Sequence, residues 1–144
     1  MKIVVDTNIL FSFFKRGSVL RELILSSDII LYSPEFALRE LEKYKRDIID
    51  KLKLSDEGYA GLRVELSSHV RFIAQESYSE CFEEAGIISP DPKDVDFLAL
   101  AMRLKLPLWS NDSKLKAQDR IPVLSIKDLL AMPEFFDLLP KEGD

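Results

Sequence analysis

Met1-Lys2-Ile3-Val4-Val5-Asp6-Thr7-Asn8 carries the first fold signal of the chain. Ile3-Val4-Val5 is a short, unbroken β-branched run. Strands of a parallel sheet are covered on both faces, so they read as continuous apolar runs rather than as alternations. Asp6 follows at once, which predicts a strand with a carboxylate at its C-terminal end. Ile29-Ile30-Leu31-Tyr32, Val70-Arg71-Phe72-Ile73, Leu106 to Ser110 and Ile121 to Leu124 predict four further strands.

Helical signals fill the gaps. A helix from Asn8, rich in Phe and Leu, ends at Gly17. Val19, Leu20, Leu23 and Ile24 stand at helical spacing. Ser33-Pro34 reads as N-cap plus first helical residue of a helix through Leu41. Asp47 to Ser68 reads as helical with Ser55 as an internal cap, and Glu76 to Ala85 as a short helix closed by Gly86. Asp91-Pro92 opens a helix from about Lys93 to Leu104, and Ser125 caps a last one. Strands alternating with helices mean βαβ units. The expectation is a three-layer α/β sandwich with a central parallel sheet of about five strands. One domain spans residues 1–132, with a tail over 133–144.

Composition narrows the class. The chain has 144 residues, enough for one core, with 47% hydrophobic and 31% charged residues. No apolar run approaches the roughly 20 residues of a membrane span. A charge inside the first apolar stretch and the lack of a small-residue cleavage site do not read as a signal peptide. The lone Cys81 has no internal partner, so the expected compartment is the cytoplasm and no membrane partner is expected. A net charge of −5 counts against nucleic-acid binding through a global field. It counts less against an enzyme whose acidic site takes up divalent cations.

Two acids stand where α/β proteins bind their ligands, beyond the C-terminal ends of strands: Asp6 after the first and Asp112 after the fourth. Glu40, on the helix after the second strand, and Asp94, at the start of the Lys93–Leu104 helix, are placed to join them. At about 100° per residue, Asp94 shares a face with Leu98 and Ala101, whereas Asp96 lies roughly 200° away with Leu100 and Arg103. Asp94 is therefore the expected third ligand and Asp96 an outer supporting residue. Four carboxylates in one place repel each other, and Mg²⁺ or Mn²⁺, hard cations that prefer oxygen, reverses that cost. Such a site activates water for in-line attack on a phosphodiester. Each acid also has a structural reading: Asp6 and Asp91 as caps, Asp112 as a turn residue, Glu40 as a solvated helix residue. Their joint pattern favours chemistry.

Asp6-Thr7-Asn8 after the first strand resembles the opening of PIN domains. Asp91-Pro92-Lys93-Asp94-Val95-Asp96-Phe97-Leu98-Ala99-Leu100-Ala101, followed by Leu108-Trp109-Ser110-Asn111-Asp112, resembles their C-terminal signature. Glu40 falls where the family's second acid lies. The resemblance implies a metal-dependent endoribonuclease of the VapC-like kind acting on single-stranded RNA. It implies Asp6, Glu40, Asp94 and Asp112 as catalytic and metal-binding residues, with Asn8 and Ser110 as polar supports. It further implies a small antitoxin as a possible partner and a homodimer or higher homo-oligomer. The alternative is a catalytically weak or inactive domain of this family serving as an RNA-binding or assembly module. Haloacid-dehalogenase phosphatases need an acid where Asn8 stands, and receiver domains need an early acidic pair. Lys43, Lys45 and Arg46, in a run continuing to Lys51 and Lys53, are the candidate RNA-binding residues, with Tyr44 available for stacking.

Overall fold

Ile3, Val4 and Val5 are fully buried, as a strand covered on both faces requires. The computed structural model describes residues 1–138. The strands are β1 (Lys2–Val5), β2 (Ile30–Pro34), β3 (Val70–Ile73), β4 (Leu108–Trp109) and β5 (Val123–Leu124). They form one parallel sheet in the order β3-β2-β1-β4-β5. Among the described residues, eight α-helices flank it: α1 (Thr7–Phe13), α2 (Val19–Leu25), α3 (Glu35–Lys43), α4 (Lys45–Leu52), α5 (Asp56–His69), α6 (Phe82–Ile88), α7 (Val95–Leu104) and α8 (Ile126–Leu130). The expected α/β sandwich is the observed architecture.

The strand order places the site. From β1 the chain builds outward to β2 and β3, then returns to lay β4 on the other side of β1. The order therefore reverses between β1 and β4. In open α/β sheets the crevice beyond that reversal is where ligands bind.

Packing fixes the helices around it. α7 presents Phe97 to Ala101 as a continuous buried stretch, so it is covered nearly all round. Phe13 and Phe14 of the first helical segment are fully buried, and Phe14 stacks on Tyr59 of α5 at 4.9 Å between ring centroids. Each such ring contributes on the order of 2–3 kcal/mol by leaving water. No helix is long and apolar enough to cross a membrane among the described residues.

Several boundaries differ from the sequence reading. Ser33 does not cap α3: it is fully buried in β2, its hydroxyl donating to the Val5 carbonyl at 2.9 Å. Pro34 still pairs with β3, and α3 starts one residue later. Ser55 caps α5 as expected, while the break before it is made by Lys53, whose left-handed conformation (φ 56°) ends α4, and α4 begins at Lys45 rather than Asp47. Gly86 does not close α6 but lies inside it, preceded by 3₁₀ turns at Gln75–Ser77 and Ser79–Cys81. Strands β4 and β5 are two residues each, shorter than expected. Within the expected tail, Pro133–Leu138 is a 3₁₀ turn whose Phe135 is buried; residues 139–144 lie outside the described residues.

Candidate functional site

Adjacent strand ends hold the first two acids. The Asp6 N–H donates to the Trp109 carbonyl at 3.2 Å, tying the end of β1 to the end of β4. Asp6 then caps α1, its carboxylate accepting from the Ile9 N–H at 3.0 Å. Directly after β4, Ser110 is fully buried and its hydroxyl accepts from the Asp112 N–H at 3.1 Å. Asp112 caps the 3₁₀ turn Ser113–Ala117, accepting from the Lys114 N–H at 3.0 Å. Both acids are caps as well as candidate ligands, so their backbone positions are set before any ligand arrives.

The other two come from helices over the crevice. Glu40 lies on α3, and Asp94 ends the 3₁₀ turn Pro92–Asp94 that leads into α7. Asp6, Glu40, Asp94 and Asp112 all line one cavity of about 300 Å³, with Asn8 beside them. Asp96 is elsewhere: it accepts from the Tyr78 hydroxyl at 2.7 Å. The two acids therefore lie on different sides, as expected, but Asp94 precedes the α-helix in a tighter 3₁₀ turn rather than standing on it.

Electrostatics distinguishes this cavity. Burial pushes the Asp6 carboxyl from 3.8 up to about 6, and Asp112 and Glu40 add to the push. Hydrogen bonds from Ser110 and Ile9 work against it. Burial also raises Asp94 to about 6, followed by repulsion from Asp91, Asp112, Asp6 and Glu40. None of the four ion pairs among the described residues involves a cavity acid. Such unrelieved negative charge is a mark of a functional site.

The donor set fits a hard divalent cation in kind: oxygen atoms only, in excess, with no imidazole or thiol. As the side chains stand, no three acids among the described residues are close enough to clasp one ion. Asp6 is buried and Glu40, Asp94 and Asp112 are half-buried, so rotation of those three side chains about their own bonds is the freedom by which a cation would gather the set.

Three participants escape the sequence reading. The Thr7 hydroxyl donates to Glu40 Oε1 at 2.6 Å, joining α1 to α3 across 33 residues. Asp91 and Lys93 line the cavity mouth. The motif containing Asp91 was visible, but its capping role, with the Lys93 N–H donating at 2.9 Å, explained it fully. The expected RNA-binding residues do not line the cavity. Lys43 sits over the Tyr44 ring at 5.3 Å, Lys45 over Tyr59 at 5.6 Å, and Arg46 pairs with Asp56 at 3.4 Å.

The family model of the PIN domain matches residues 4–120. The chain belongs to the PIN-domain family. Among solved structures it is similar to a chain in the crystal structure of VapBC2 from Rickettsia felis bound to a DNA fragment from their promoter. The identity is 17% and the TM-score 0.62, covering 87% of this chain and 98% of that one. No curated protein matches the sequence.

Proposed function

We propose that the protein is a divalent-metal-dependent endoribonuclease that cleaves single-stranded RNA at the crevice between β1 and β4. One observation carries the reading: Asp6, Glu40, Asp94 and Asp112, from four separate segments, line a single cavity without a paired cation. Asp6, Asp94 and Asp112 would hold the ion, with Glu40, fixed by the Thr7 hydroxyl, completing the ligand set. Magnesium or manganese, when bound, supplies the positive charge that offsets these acids, binds phosphodiester oxygens and activates the attacking water.

The chain's own groups do the rest. The Ser110 hydroxyl accepts from the Asp112 N–H and hydrogen-bonds the Asp6 carboxylate, so one buried group links the two strand ends that carry these acids. Asn8 offers a neutral amide at the cavity wall. Lys93 at the mouth offers the cation that a phosphate backbone needs where acids would otherwise repel it.

Similarity of fold to the VapBC2 chain supports a toxin-type role with a small antitoxin partner, as does the chain's place in the family. Cleavage of a generic single-stranded RNA in Mn²⁺, in Mg²⁺ and in EDTA is the test. Cleavage that needs metal and disappears in Asp112→Asn supports the reading. RNA binding without cleavage in either metal would make the protein a binding module instead.

A further inference from the structure

A second cavity, of about 440 Å³, lies between the C-terminal end of α1 and α4. Its walls are Phe11, Ser12 and Lys15 on one side and Tyr44, Asp47, Ile48, Lys51 and Leu52 on the other. The spacing explains the wall: Tyr44, Ile48, Lys51 and Leu52 stand at i, i+4, i+7 and i+8, one face of a helix. Phe11 and Lys15 are likewise four apart. Phe11 and Tyr44 also line the acidic cavity, so the two spaces share a partition. Their rings meet edge to face, with centroids 5.9 Å apart.

We infer that this groove is a nucleotide subsite, which receives the residue of single-stranded RNA adjoining the phosphodiester at the carboxylates. The aromatic and aliphatic wall suits a base face, and Lys15 and Lys51, both exposed, suit the flanking phosphate. A strand that leaves an acid-lined cavity needs cations at its next step, and these two lysines stand beside the next space along the surface. Neither is engaged in an ion pair among the described residues, whereas Arg46 of the same helix is. Asp47 offsets part of the charge and leaves the lysines in excess. The assignment moves the RNA-contacting role from Lys43, Lys45 and Arg46 to Lys51 of the same basic run, joined by Lys15. It rests on the nuclease reading only for the place of the scissile bond.

The test is binding of a fluorescent single-stranded RNA decamer to Asp6→Asn protein in EDTA, across a range of salt concentrations. Adding Lys15→Ala and Lys51→Ala should lower the log–log salt slope by about 1.4, two phosphate contacts on a single strand. Adding Lys43→Ala and Lys45→Ala, the same loss of charge, should change it by less than half as much. A decamer without bases should bind the Asp6→Asn protein roughly tenfold more weakly, through lost stacking. An equal effect of the two lysine pairs, or no binding of RNA at all, overturns the subsite. Cleavage by the unaltered chain in Mn²⁺ is scored separately. If cleavage fails while the Lys15/Lys51 effect holds, the nuclease reading falls and the subsite stands; intact cleavage with an unchanged slope gives the reverse.

Discussion

The acids of the β1/β4 crevice and those at the start of α8 meet opposite electrostatic conditions in one small domain. At α8, Asp128 completes a capping box with Ser125 and accepts from Lys116 at 2.9 Å, and its carboxyl is held down at about 2. In the crevice, Asp6 and Asp94 are held up at about 6, by burial first and then by neighbouring acids, Asp112 and Glu40 acting on both. Glu80 with Arg103 and Glu84 with Arg120 follow the α8 pattern. Where the chain wants structure, it supplies the countercharge itself. Where it leaves acids without one, the countercharge has to come from outside. For Asp6 the cost in the metal-free protein at pH 7 is roughly 3 kcal/mol, set by a carboxyl raised from 3.8 to about 6.

The sharpest break in that contrast is substitution. Asp112→Asn or Asp6→Asn should lower RNA cleavage by a factor on the order of 10³ or more, because each removes a ligand of the proposed ion. Asp6→Asn should at the same time raise the metal-free melting temperature at pH 7 by on the order of 5 °C, since the amide can still cap α1 without carrying charge. The sign follows from the titration. Below 3.8 the carboxyl is protonated in both folded and unfolded chains and costs nothing; above about 6 the whole penalty applies. The advantage of Asp6→Asn should therefore vanish near pH 4. An Asp6→Asn protein that is less stable at pH 7 would erase the distinction between the two regions.

Metal should act on one region alone. At a hundredfold excess over its dissociation constant, Mn²⁺ should stabilise the fold by about 2.7 kcal/mol, a melting shift on the order of 5–10 °C. Asp94→Asn should shrink that shift and Asp96→Asn should leave most of it, because Asp96 is turned to Tyr78. A larger loss from Asp96→Asn would put the third ligand on the wrong side of α7. Smaller still, Ser125→Ala should cost about 1 kcal/mol of stability through the lost cap and leave cleavage and the Mn²⁺ shift unchanged. Stability owed to Asp128 should be lost only as pH falls from about 4 through about 2, since its carboxyl is lowered.

How far the sequence revealed this contrast depends on range. β1 and its terminal Asp6 were legible because a run of β-branched residues followed by an acid is a local pattern. Asp112 was legible for the same reason. The reversal of strand order that makes the two neighbours is a tertiary fact, available before the structure only as a condition. One helix projected through both residues separates Asp94 from Asp96, although Asp94 stands in a 3₁₀ turn before it. The separation survives because both geometries turn residues two apart to different sides. Thr7 was invisible as Glu40's partner, since nothing local links residues 33 apart. The basic run was visible, yet which of its cations are already engaged is decided by Tyr59 and Asp56, on a different helix.

Calorimetric titration of Mn²⁺ into the metal-free protein, in buffers of different ionisation enthalpy, reads out whether these carboxylates form a metal site. With Asp6 and Asp94 both near half-protonated at pH 6, binding should release about one proton there and almost none at pH 8. Asp6→Asn should weaken binding and remove its share of the release. Binding with no proton release at pH 6, or binding indifferent to Asp6→Asn, would contradict a metal site built on these carboxylates.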